Sequence, residues 1–250
     1  MNTHIRDIYK KGYSTLPNLN KIGKEDVFEK DTSDSNLIQA EKKEALVNQK
    51  VFFEYENEPK HYEICEEWIL NNYPRKLKSS KFLDIAKETE EDFLIHRLDG
   101  EKDYLSSAHV CFASHWKPED KIGKSFEEIH QPVPMNLKNS KKLVHAMIHG
   151  GIFERFVWSI VYENKYNFHP RFEHKKFDIK NPKIFLKVER QITVGFSDNN
   201  FCLFILRQYL VEEKDIEKNI LAKVIESMNP EQKQYKGLSD SCDLLSYLKS

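Results

Sequence analysis

The chain has 250 residues, 39% of them hydrophobic, with 39 basic and 40 acidic side chains and a formal net charge of -1. That length suffices for a full core, and the balanced charge leaves no basic footprint for a phosphate backbone, which argues against nucleic acid as a partner. There is no apolar run of roughly eighteen residues to span a membrane, no apolar segment of a secretory signal at the start, and no C-x-x-C pair among Cys65, Cys111, Cys202 and Cys242; a soluble, cytoplasmic protein with reduced thiols is expected.

Residues 1–35 are rich in Lys, Asn, Asp and Ser and read as a polar N-terminal arm. Charged and apolar residues alternate at helical spacing over 36–50 and 59–72, where Tyr62, Cys65, Trp68 and Ile69 mark one face and Pro74 a stop. A third helical pattern spans 82–98, ended by Gly100. Residues 104–113 read as a strand. Ser125 followed by Glu128 forms a capping box, and Pro132 and Pro134 prevent the helix it starts from running beyond about two turns. Phe126, Ile129 and His130 stand at i, i+3 and i+4, so the imidazole points where the apolar side chains point.

A helix over 139–149 closes at Gly150-Gly151, and strands follow over 154–163, 185–196 and 201–212, the last two joined by a turn at Ser197-Asp198-Asn199-Asn200. Asp215 then caps a helix ended by Asn229-Pro230, and residues 242–248 form a short last helix. The order predicts an α+β fold, an antiparallel sheet with helices packed on one face and further helices at both ends. The expected units are the arm (1–35), one domain (36–230) and a tail with a short helix (231–250).

Several motifs carry a family resemblance: Val110-Cys111-Phe112-Ala113-Ser114-His115-Trp116, Lys121-Ile122-Gly123, Ile129-His130-Gln131-Pro132-Val133-Pro134, Arg155 with Trp158-Ser159, and Glu189-Arg190-Gln191, with echoes in Asn72-Tyr73-Pro74 and Glu91-Asp92-Phe93. The chain resembles the haem-dependent oxidative N-demethylase alpha subunits. The resemblance implies a PAS-like fold holding haem b and its iron, and monooxygenase-type demethylation of a small amine with O2. No dinucleotide fingerprint or cluster motif is present, and the resemblance implies that electrons would come from a reductase partner carrying flavin and iron–sulfur centres. The chain departs from the pattern at Ala113, Val157, Lys187 and Val194-Gly195-Phe196.

His130 is the candidate metal ligand. Periodicity alone favours a hydrogen-bonded core residue, and the resemblance reverses that and makes it the proximal haem ligand. Arg190 interrupts the apolar row Leu186, Val188, Ile192, Val194, so it needs an anion: a haem propionate or a protein carboxylate. Arg207, within 201–212, poses the same problem. On the strand over 154–163, Arg155 faces away from Phe156, Trp158 and Ile160, and Trp158 reads as core or haem wall. Glu189, on the opposite face from Arg190, is a solvated residue or, from the resemblance, a carboxylate holding the protonated amine in catalysis. Cys111 is a buried hydrophobe or an alternative haem thiolate. His145 and His149 lack an intervening acid for a zinc motif, and Ser114 and Ser159 lack a nucleophile elbow. Two readings compete with the enzyme: a non-catalytic haem-binding gas sensor, and a small-molecule binding module without haem.

Overall fold

The computed structural model describes residues 3–30, 34–48, 50–134 and 139–250; residues 1, 2 and 31–33 of the expected arm, and residue 49 of the first expected helix, lie outside the described residues. Helix α1 (Thr3–Arg6) and strand β1 (Asn20–Lys21) precede α2 (Ser35–Asn48), β2 (Phe52–Glu54), α3 (Pro59–Asn72) and α4 (Phe82–Glu88). Then come β3 (Asp92–Asp99), β4 (Lys102–His109), α5 (Phe126–His130), α6 (Ser140–His149) and β5 (Ile152–Val161). Strands β6 (Phe185–Phe196) and β7 (Phe201–Glu212) lead to α7 (Lys218–Ser227), α8 (Pro230–Tyr235) and α9 (Cys242–Lys249).

Local chemistry explains many of these boundaries. Pro59 opens α3, where its missing N–H costs nothing. Ser125 and Glu128 close both halves of the predicted capping box of α5. Asn200 adopts the left-handed conformation, φ 54°, that the turn between β6 and β7 requires. The helix before Asn229-Pro230 starts later than Asp215 predicts, because Glu213–Asp215 form a 3-10 turn and Glu217 is the N-cap.

The continuous helix expected over 82–98 is two elements. Helix α4 ends at Glu88, and Phe93, Leu94 and Ile95 enter β3 because they pair with β7 on one side and β4 on the other. Tertiary pairing overrides the local period here. The side chain of Asp92 fixes the join, accepting the Cys111 and Phe112 N–H groups at 3.0 and 2.9 Å.

All neighbouring strands are antiparallel, in the order β1-β5-β6-β7-β3-β4-β2. This is the expected α+β class, and its layout is consistent with a PAS-like fold. Because side chains alternate along a strand, the registers define two faces. One presents Trp158, Leu186, Val188, Tyr209 and Val211 to a core shared with α7 and α9, and Ile192, Val194, Leu203 and Ile205 to a core shared with α3 and α4. Ile5, Ile8 and Tyr9 complete the first of these cores and Val27 and Phe28 the second, so much of the N-terminal stretch packs into the domain.

The other face carries Arg155, Gln191 and Thr193 beneath α5 and α6, and Lys187, Glu189 and Gln208 beside the segment that follows β4. Helix α6 lies directly on β6 at Gly195, where an added Cβ would come within 2.3 Å of the Ile148 carbonyl oxygen and 2.7 Å of that of Met147. Only glycine fits that approach.

His109, 1% exposed and cross-strand from Phe93, has no hydrogen-bond partner for either ring nitrogen among the described residues. Burial, assisted by Lys42, lowers its pKa from 6.5 to about 3. Between these values the unfolded chain binds a proton that the folded protein refuses, so stability falls as pH drops through that window. His109→Leu should be as stable as the parent or more stable at neutral pH, since it removes an unsatisfied polar group. It should also lose less stability on acidification, as urea unfolding at about pH 7 and about pH 4 will show.

Candidate functional site

A narrow cleft opens between the sheet and helices α5 and α6, with about 20 Å³ of internal space, room for about one water molecule. Pro17, Leu19, Phe126, Leu143, Met147 and Phe204 form its apolar wall, and His130, Arg155, Gln191 and Thr193 its polar contribution.

His130 ends the five-residue helix α5. Its Nδ1 lies 2.8 Å from the Phe126 carbonyl oxygen, and its ring stacks on that of Phe126 at a centroid distance of 3.9 Å and 26° between planes. A carbonyl only accepts, so Nδ1 carries the hydrogen and Nε2 keeps the lone pair. Burial brings the pKa down from 6.5 to about 4, so the ring is neutral at pH 7. A neutral imidazole whose Nδ1–H is tied to a backbone carbonyl is prepared to bind a metal through Nε2, and Nε2 has no hydrogen-bond partner among the described residues.

Arg155 projects into the same cleft from β5, and its Nε donates to Gln191 Oε1 at 2.7 Å. Among the described residues the guanidinium forms no ion pair. Burial lowers its pKa, while Glu189 pulls the other way. Glu189 itself is 6% exposed and stands behind Gln191. It accepts from Gln191 Nε2, Gln208 Nε2 and, at 3.3 Å, Ser114 Oγ.

Two lysines share this carboxylate's field. Burial brings Lys187 down to about 8, and its ammonium donates to the Tyr166 and Phe112 carbonyls. Lys236, also lowered to about 8 by burial, donates to the Trp158 carbonyl at 2.7 Å. Lys187 stood out in the sequence only as a departure from the family pattern and Lys236 not at all, since a buried ammonium held by distant main-chain carbonyls has no local signature.

The structure thus brings His130 and Arg155 together, with Glu189 one residue layer behind. Arg190, Arg207 and Trp158 lie on the opposite face. Arg190 pairs with Glu154, Nη2 to Oε2 at 2.8 Å, and donates to the Val27 and Asp26 carbonyls at 2.9 and 2.6 Å. Arg207 pairs with Asp34 at 2.6 Å and lies 4.0 Å from Glu91. Trp158 is 5% exposed, edge-on to Tyr13 in the core shared with α7 and α9. The two arginines therefore have protein partners where a cofactor carboxylate was the alternative, and Trp158 has its core reading.

Cys111 is 1% exposed and does not line the cleft; burial and the neighbouring Asp92 push its thiol pKa up, away from the thiolate that ligation needs. With Asp92 and His109 it brings one potential ligand atom each within 4.8 Å. The Lys42 ammonium, 3.9 Å from Asp92 Oδ1, balances that carboxylate.

Haem fits the cleft residues in kind: an apolar wall and, among the described residues, an imidazole with a free lone pair and a guanidinium without a protein anion. Among the described residues no helix is long and apolar enough to cross a membrane. A family model described as haem-dependent oxidative N-demethylase, alpha subunit-like, matches residues 47–245. No curated protein matches the chain.

Because Arg190 serves the opposite face, Arg190→Met should destabilise the protein by about 3–5 kcal/mol by stranding Glu154, and adding Glu154→Met should recover much of that loss in urea unfolding. The His130 ring resonances should stay where they are in both variants.

Proposed function

Since the chain belongs to the haem-dependent oxidative N-demethylase alpha subunit-like family, we propose that the cleft binds haem b, with His130 Nε2 on the iron and Arg155 on a propionate, and that the protein oxidises a small amine with O2. The observation that carries this reading is the hydrogen bond between His130 Nδ1 and the Phe126 carbonyl, which fixes the tautomer a proximal ligand needs. Haem, when bound, supplies the redox chemistry with dioxygen that no side chain of the cleft provides.

The chain's own residues do the rest. The apolar wall keeps water from the ligated face, and Arg155 offers two parallel N–H bonds to a carboxylate. Glu189 holds Gln191 in place through the Gln191 amide, and its charge, set behind the cleft wall, favours a protonated amine over an anion. Electrons come from a reductase partner carrying flavin and iron–sulfur centres; the alpha-subunit description supports a further subunit and does not give its cofactors.

One observation favours a second reading, a haem-binding gas sensor without turnover. Both oxygens of Glu189 are engaged by Gln191, Gln208 and Ser114 and the residue does not line the cleft, so substrate would have to displace one of these donors.

Visible spectroscopy of protein supplied with haem tests the proposal. A Soret band that shifts with dithionite and then carbon monoxide is expected. His130→Ala should abolish haem retention, and Arg155→Gln should weaken it about tenfold through loss of a charge-assisted contact; a haem content unchanged by His130→Ala overturns the ligand assignment. Glu189→Gln should retain haem but lose any spectral response to amines, and a parent protein with a ligandable haem and no amine response supports the sensor.

A further inference from the structure

We infer that Asp103 and His96 are positioning residues for the His130 imidazole and act on it through Phe126. The inference rests on the reading of His130 as the iron ligand. Phe126 touches His130 twice, with its carbonyl oxygen on Nδ1 and its ring against the imidazole. The direction of Nε2 therefore follows Phe126, and what fixes Phe126 fixes the ligand.

Helix α5 cannot do this alone. It has five residues, too few to be stable without outside support, and its capping box is exposed to solvent. The buried support comes from the sheet. Asp103 on β4 accepts the Phe126 N–H through Oδ2 at 2.7 Å. The same oxygen accepts from His96 Nε2 at 2.7 Å, and His96 on β3 is 2% exposed. The His96 ring also meets the Phe126 ring edge-on, with centroids 6.2 Å apart and planes at 87°. Backbone and ring of Phe126 are thus both referenced to the β3–β4 hairpin. A carboxylate oxygen shared by two donors resists rotation more than one neutral bond would. Mutation of such outer partners of a metal ligand typically costs about 10–100-fold in affinity.

The test compares the full-length parent with Asp103→Ala, Asp103→Asn and His96→Phe, with and without haem. In the haem-free protein, long-range proton–nitrogen spectra of the His130 ring report its tautomer. In the haem-loaded protein, the rate of haem loss to apomyoglobin and the iron–histidine stretch of the ferrous form report the bond. The parent should show a single Nδ1–H tautomer. Asp103→Ala should give mixed or broadened ring signals, a shifted and broadened stretch, and haem loss faster by about 10–100-fold. Asp103→Asn should recover part of each, because its amide oxygen still accepts the Phe126 N–H. His96→Phe should fall between, since it keeps the carboxylate but frees it to turn. A folded Asp103→Ala with the parent's ring signals and haem-loss rate overturns the inference. If Asp103→Ala does not fold, parent-like values in both remaining variants overturn it equally. Should the parent itself take up no haem, the ligand reading fails, while the haem-free ring spectra still decide whether Asp103 sets the imidazole.

Discussion

Lys187, Glu189, Arg190 and Gln191 follow one another on a strand covered on both faces, and the cost of taking charge out of water dictates which segments must come to meet them. Arg190 draws in the 26–27 carbonyls and Glu154 on one side. Lys187 draws in the Phe112 and Tyr166 carbonyls on the other, and Glu189 gathers Ser114, Gln191 and Gln208. The loop leaving β4 and the long connection before β6 are therefore held against the sheet by charge as much as by apolar contact. Asp92 performs the same service one step away, where its carboxylate clasps the Cys111 and Phe112 amides and so sets the path of the chain toward Ser114.

Several of these partners come from before residue 47, where the family match begins. Asp26 and Val27 serve Arg190, Asp34 serves Arg207, Lys42 faces Asp92, and Pro17 and Leu19 close one side of the cleft. A stretch that composition marks as a loose polar arm is thus part of the domain's electrostatics and of the wall around its site. It offers the buried arginines two main-chain carbonyls and the Asp34 carboxylate.

What was legible in the sequence was what is locally encoded. Strands β6 and β7 and the turn between them follow from alternation and turn residues, and the start of α5 from its capping box. The same alternation correctly put Arg190 and Glu189 on opposite faces. It suggested one wet face, and neither is wet: strands buried on both sides usually read as continuous apolar runs, and the buried Lys187 and Glu189 with the half-buried Gln191 imitate a solvated face here. Partner identity was hidden too: Arg190 meets Glu154 only once β5 and β6 are in register, and Asp103 meets Phe126 across 23 residues of chain. The helix run expected over 82–98 broke where pairing with two strands outweighed a helical period.

The contact of α6 with Gly195 has a consequence for how such a cleft changes over time. Two main-chain carbonyls, those of Met147 and Ile148, rest where a side chain would otherwise stand, so the spacing between helix and sheet is set by backbone rather than by side-chain size. Leu143 and Met147 can be exchanged for shorter or longer residues without moving the helix that bears them. The shape and polarity of the chamber are free to drift while its gauge stays constant, which lets descendants of one scaffold diversify in what they admit.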